Sequence, residues 1–198
     1  MSFAPMERAT SLQTQNAAET LERCRRGDLS AFRSLVEEFQ GYAFTLAFRV
    51  LCNEEEAKDV VQESFIRVWS NISRYDPAVK FTTWMYSIVI HLCYDSLRSK
   101  KRRGAAGLGD LDPSLLSSLS AGDNPERLYS NKELAAVIAA LTEKLPPKQK
   151  IVFVLRDLQE LSVHEVSDIL HISQGSVKAN LVYARKFLRE QLTPFIAD

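Results

Sequence analysis

Apolar side chains recur at intervals of three and four from Leu29 to Leu51, through Phe32, Leu35, Val36, Phe39, Tyr42, Ala43, Leu46, Ala47 and Val50. That spacing is one face of a long helix, and Asp28 just before it is a residue type that caps a helix N-terminus. A second stripe, Ala57, Val60, Val61, Phe65, Val68, Trp69 and Ile72, predicts a second helix. The triplet Tyr75-Asp76-Pro77 interrupts the period, because proline disfavours helix in the residue before it. A third helix is expected from about Thr82 into the basic run that follows. Segments 87–92 and 150–155 hold enough β-branched residues to be short strands. Too few such segments alternate with helices to build a parallel sheet, so both are read as helix. Seven glycines in 198 residues fit the all-α class that results.

Charge divides the chain where periodicity does not. The 25 basic and 25 acidic side chains sum to zero, yet residues 28–97 hold six basic against ten acidic. Arg98, Lys100, Lys101, Arg102 and Arg103 then supply five positive charges in six positions. Residues 104–128 carry four acids and one base in a Gly-, Ala-, Ser-, Leu-, Asp- and Pro-rich stretch without helical period, which reads as a linker. The expected organisation is a tail (1–18), a small helical domain (19–103), a flexible linker (104–127) and a second small helical domain (128–198). As a coil the linker averages about 27 Å and reaches roughly 80 Å, so the two domains can touch one DNA duplex one or two turns apart. A tight dock of one domain on the other is equally allowed.

Composition excludes disordered, collagen-like and disulfide-scaffold chains. No apolar run approaches the length of a membrane span and Met1 to Asn16 has no hydrophobic signal core, so the expected location is the cytoplasm without membrane insertion. Cys24, Cys52 and Cys93 are odd in number and far apart, which reads as buried reduced thiols. His91 and Cys93, two residues apart, cannot share a helix face, so no metal site is expected. There is no G-x-x-x-x-G-K-[ST] phosphate loop and no triad of nucleophile, base and acid at sensible spacing, so neither a cofactor nor catalysis is expected.

The most specific local pattern lies near the C-terminus. Ser162 with Glu165 forms a capping box ahead of the apolar positions Val163, Val166, Ile169 and Leu170; His171-Ile172-Ser173 is a turn; and a second helix opens with Val177, Leu181, Ala184 and Leu188 facing inward. This is a helix-turn-helix. Its outer face offers Ser176, Lys178, Ala179, Asn180, Val182, Tyr183, Arg185 and Lys186, and residues 174–190 hold four cations against Glu190 alone. Lysine and arginine neutralise phosphates, whereas Asn180, Tyr183 and the small Ala179 suit base edges or a thymine methyl. A helical hairpin with a solvated basic face is the other reading. His164 and His171 bracket the first helix as surface or capping residues.

Four stretches together resemble the sigma-70 family of bacterial RNA polymerase sigma factors, of the extracytoplasmic-function (ECF) type. They are DVVQESFIRVW (59–69), KFTTWMYSIVIHLCYDSLR (80–98) with the basic run after it, LPPKQKIVFVLRDLQELSVHEVSDIL (145–170) and SQGSVKANLVYARKFLREQL (173–192). The resemblance implies a transcription initiation factor that binds core RNA polymerase, through the clamp helices of the large subunit and the flap, and directs it to promoter DNA. On it, residues 19–103 correspond to sigma region 2 and 128–198 to region 4, and an anti-sigma factor is an expected regulatory partner.

The same resemblance assigns roles. Asp59, Gln62, Glu63 and Arg67 would make the polar contacts to the polymerase clamp, and they lie opposite the Val60, Val61, Phe65 and Val68 stripe. Phe65 and Trp69 read as core. Tyr75 and the loop to Lys80 would form a pocket for a minus-ten base, with Lys80, Thr83, Ser87, His91 and Arg98 along the freed strand; Trp84 reads as core or stacking platform. Capture of an unstacked base needs binding contacts and no catalytic group. Ile90 and His91 stand where related chains commonly carry arginine and asparagine, and Asn180 and Tyr183 where many carry arginine, so promoter preference is expected to differ. Two other classes stay open: a stand-alone helix-turn-helix regulator, which leaves Asp59–Trp69 unexplained, and a sigma-like decoy that binds an anti-sigma protein without DNA.

Overall fold

The computed structural model describes residues 11–104 and 131–196. Apart from Gly104, the linker expected at 104–127 lies outside the described residues, as does the tail before Ser11. The described backbone is helical throughout its regular elements, in two regions on either side of the linker segment.

The first region comprises α1 (Ser11–Arg25), α2 (Leu29–Leu51), α3 (Glu54–Asn71) and α4 (Phe81–Gly104). The chain expected as a tail to residue 18 is helical from Ser11. Its mostly polar sequence carries no stripe to read, and among its described side chains Leu21 and Cys24 are buried. Asp28 caps α2 as expected, its carboxylate accepting from the backbone N–H groups of Ser30 and Ala31 at 2.9 and 3.1 Å. The Ser30 hydroxyl, then the Ala31 N–H and the Arg23 guanidinium, donate to that carboxylate and hold it well below the usual aspartate range. Leu35, Phe39, Ala43, Leu46 and Val50 are buried along α2. Leu29 and Tyr42, counted in the same stripe, are 68% and 47% exposed because they sit at its two edges. Cys52 ends α2 in the left-handed conformation (φ 53°), and Asn53 caps α3 by accepting from the Glu56 N–H at 3.0 Å, so two residues suffice to fold α3 back on α2.

The second region comprises α5 (Asn131–Glu143), α6 (Pro147–Phe153) continued by a π-helical turn at Val154–Leu158, α7 (Val163–Leu170) and α8 (Gln174–Ile196). Both segments that were ambiguous between strand and helix are helical. The run Ile151 to Leu155 is buried at every position because α6 lies between α8 on one side and α4 on the other, which removes the polar face an amphipathic helix keeps. Pro147 occupies the first turn, where its missing N–H costs nothing.

The two regions are docked. Helix α4 packs on α6 and α7; the Arg49 guanidinium donates to the Leu158 carbonyl, Lys80 pairs with Glu165 at 3.5 Å, and the His91 and His171 rings lie 5.9 Å apart. Of the two arrangements that the linker length allows, the structure has the closed one.

Candidate functional site

Three outward surfaces carry the residues singled out in the sequence. On α3, Asp59 and Gln62 are exposed, while Glu63 and Arg67 pair with each other at 3.0 Å, one helical turn apart. Beside them lies a groove of about 850 Å³ whose walls are Leu29, Phe32, Val36 and Phe44 of α2 and Val61, Phe65, Ile66 and Trp69 of α3. Phe32 fixes its floor, with ring centroids 4.8 Å from Trp69 and 6.4 Å from Phe65. Phe65 is buried, whereas Trp69 is half-buried and lines the groove. The groove was not read from the sequence. Its one signal was Ile66, a large apolar residue off the predicted stripe of α3 and 52% exposed; Leu29 was counted in the stripe of α2. Gln62 and Lys58 supply its polar rim; Lys58 is held by Glu54 and Glu55 at 2.9 Å each, which raises its pKa.

Lys80, just before α4, and Thr83, Ser87, His91 and Arg98 on it follow one another at intervals that keep them on one face. In the closed chain this face looks toward α7. Lys80 pairs with Glu165, and His91 meets His171 while its Nδ1 lies 2.6 Å from the Ser87 carbonyl. Arg98 lies over the Tyr94 ring at 5.7 Å, and the Ser87 hydroxyl donates to the Trp84 carbonyl. Tyr75, expected with the loop to Lys80 to form a base pocket, is not open to a ligand in the closed chain. It is buried, with its ring against Phe81 and Trp84 at 5.9 and 5.1 Å and its hydroxyl on the Val79 carbonyl. Three aromatic rings so close together bury one another, and Tyr75 staples the 76–80 loop to the core. Trp84 is half-buried in the same cluster.

The helix-turn-helix forms as read. Ser162 and Glu165 make the reciprocal capping box, His171 ends α7 in the left-handed conformation, and the Ser173 hydroxyl accepts from the Ser176 N–H at 3.2 Å to open α8. The Ser162 backbone N–H donates to the Glu165 carboxylate and holds its pKa below the ordinary value. Val177, Leu181, Ala184 and Leu188 are buried. Lys178, Ala179, Val182, Tyr183 and Lys186 are exposed on the opposite side, Val182 and Tyr183 at 64% and 62%. Ser176 and Asn180 are half-buried, and the Asn180 amide donates to the Ser176 carbonyl at 2.7 Å. Arg185 is exposed as well but is engaged within the protein. Both arms of its guanidinium donate to Asp157, at 2.8 and 2.6 Å, which ties α8 to the π-helical turn. Asp157 was not anticipated, since 28 positions separate it from Arg185.

Among the described residues, no cluster of His, Cys, Asp and Glu is placed to hold a metal ion, and no helix is long and apolar enough to cross a membrane. The fold and surfaces define a helical protein of the helix-turn-helix class, with that motif in one region and an open apolar groove in the other.

Comparison with known proteins gives the family. Sigma-70 region 2 matches residues 35–103 and sigma-70 region 4 matches residues 135–188. The chain is 36% identical to the ECF RNA polymerase sigma factor SigW of Bacillus subtilis over 87% of its own length and 94% of that protein. It is 28% identical to the ECF RNA polymerase sigma-E factor of Escherichia coli K12, over 89% and 94% of the two chains. Among solved structures it resembles CnrH in complex with the cytosolic domain of CnrY, with a TM-score of 0.62 at 23% identity over 91% and 97% of the chains. It also resembles the sigma factor RpoE in complex with the anti-sigma factor NepR from Bartonella quintana, with a TM-score of 0.61 at 17% identity over 83% and 98%. The chain belongs to the ECF RNA polymerase sigma factors and is a promoter-specific transcription initiation factor.

Proposed function

We propose that the three surfaces divide the work of initiation between them. Helix α3, with Asp59, Gln62, Glu63, Arg67 and the adjacent groove, takes the clamp helices of the polymerase large subunit. The α4 face holds the opened minus-ten strand through Lys80, Thr83, Ser87, His91 and Arg98. Helix α8 enters the major groove at the minus-thirty-five element, with Lys178 and Lys186 on phosphates and Ala179, Val182 and Tyr183 toward base edges. Tyr75 and Trp84 support the strand-binding loop from beneath. Binding energy opens the duplex; the chain performs no catalysis of its own and acts in the cytoplasm beside the polymerase.

The observation that carries this reading is the exposed α8 face, cationic and apolar together, on a capped helix-turn-helix. The α2–α3 groove suits an amphipathic helix, the kind of segment that an anti-sigma factor would supply to compete with polymerase. A stand-alone regulator would leave that groove without a use. The test is transcription in vitro with purified chain and sigma-free core polymerase on sheared genomic DNA, mapping the starts. Defined starts sharing two upstream elements are expected. Absence of core binding would overturn the reading.

A further inference from the structure

Gly41 stands in the interior of α2, where glycine is the poorest helix former after proline. The backbone does not require it there. Gly27 is the glycine with a left-handed backbone among the described residues, and Gly41 continues the helix. Packing inside the chain does not require it either, since a Cβ added at Gly41 would meet no side chain within 4 Å beyond its chain neighbours. Nothing within the molecule accounts for the residue, so its use lies in what docks against it.

The surroundings define that occupant. Gly41 is exposed and lines the α2–α3 groove. It shares a helix face with Phe44 and Phe48, whose rings stack with centroids 5.9 Å apart, and Phe48 is 44% exposed. The glycine is therefore a notch at the foot of an aromatic ridge. Apolar positions from Leu29 to Phe48 extend about 28 Å along α2, the length of a helix of about five turns and more than a short loop would cover. On the rims, Glu37 lies one turn before Gly41 and Asp59 one turn before Gln62; both are exposed, and neither has an ion pair among the described residues. An apolar floor between two free carboxylates fits a helix whose apolar stripe is flanked by lysine or arginine.

We propose that Gly41 is the close-approach position for such a helix of core polymerase. A large apolar side chain of that helix seats in the notch against Phe44 and Phe48, and its flanking cations meet Glu37 and Asp59. This rests on the function proposed above, which brings the clamp helices to the groove, and it names the residue that sets how near they come. Any side chain at position 41 holds the partner off, and because dispersion contacts weaken steeply with separation, the whole stripe loosens together.

The experiment uses the full chain and sigma-free core polymerase, with affinity read by fluorescence anisotropy and stability by thermal melting. Gly41→Ala should raise the Tm of the free chain by about 2–4 °C, because alanine is the better helix former and displaces nothing. The same change should weaken core binding about threefold, and Gly41→Leu about tenfold or more. A merely structural glycine would lower Tm and affinity together, so the opposite signs identify a partner contact. Glu38→Leu, on the same helix but off the groove, should leave affinity unchanged. Normal core affinity of Gly41→Leu overturns the proposal. If Ile66→Asp then binds weakly, the failure is that of Gly41 alone; if Ile66→Asp also binds normally, the groove is not the polymerase interface and the functional reading beneath it fails as well.

Discussion

Arg185 is where a charge expected on DNA is engaged within the protein, and replacing it with alanine distinguishes the two roles. Two charge-assisted hydrogen bonds of 2.8 and 2.6 Å link it to Asp157, whose side chain keeps only 19% of its exposure while that of Arg185 keeps 53%. Such bonds are worth about 1.5–3 kcal/mol when well shielded; half-exposure of the guanidinium puts this pair nearer 1–2 kcal/mol. Arg185→Ala should therefore destabilise the chain by that amount in urea denaturation and lower Tm by about 2–6 °C. A double-mutant cycle with Asp157→Ala should return a coupling of about 1 kcal/mol. In promoter binding by the reconstituted holoenzyme, Arg185→Ala should leave the slope of log K against log salt unchanged, whereas Lys178→Ala reduces it by about one unit. A negligible coupling together with a salt slope reduced by one would refute the reasoning and return Arg185 to the phosphate contacts.

The other surfaces make sharper demands on single residues. Ile66→Asp puts a charge on the rim of an apolar groove without entering the core, so core-polymerase affinity should fall about tenfold or more with an unchanged Tm; unchanged affinity in a pull-down titration removes the groove from that interface. Tyr183→Ala should shift the preferred minus-thirty-five sequence by about 1–3 kcal/mol at one base pair, and an unaltered selection from a randomised promoter pool removes it from the readout. The Glu165 pKa is lowered in the folded chain, first by the Ser162 N–H, so its stabilisation is present above about pH 4.3, the ordinary glutamate value, and is lost as pH falls through its folded-state value. Glu165→Gln should lower Tm at pH 7 and flatten the acid limb of the Tm profile; a parallel offset at all pH values contradicts this.

Much of this molecule was legible because its helices announce themselves locally. Asp28 and Ser162 are caps whose partners lie two or three residues away, and the stripe of Val177, Leu181, Ala184 and Leu188 needs no knowledge of what it packs against. What the sequence concealed depends on distant partners. Among its described side chains helix α1 buries Leu21 and Cys24, too few to read as a stripe. Asp157 captures Arg185 from another element. Tyr75 reads as a free aromatic beside a proline, and only the folded 76–80 loop shows its hydroxyl already occupied. The groove escaped notice because an exposed isoleucine and leucine are ordinary on any surface until two helices bring them side by side.

The pairing of Lys80 with Glu165 joins a residue expected on the opened strand to the carboxylate that caps the first helix of the DNA-reading motif. On the function proposed above, a promoter competes with the chain itself for that lysine, so its apparent affinity equals its intrinsic affinity multiplied by the fraction of molecules that are open. With one molecule in a hundred open, binding of DNA to the free chain is weakened about a hundredfold, while a partner that selects the open population restores the loss. On that reading genomic DNA, present in vast excess, would retain few unaccompanied copies, and the discount would be lifted only where a second macromolecule is already engaged.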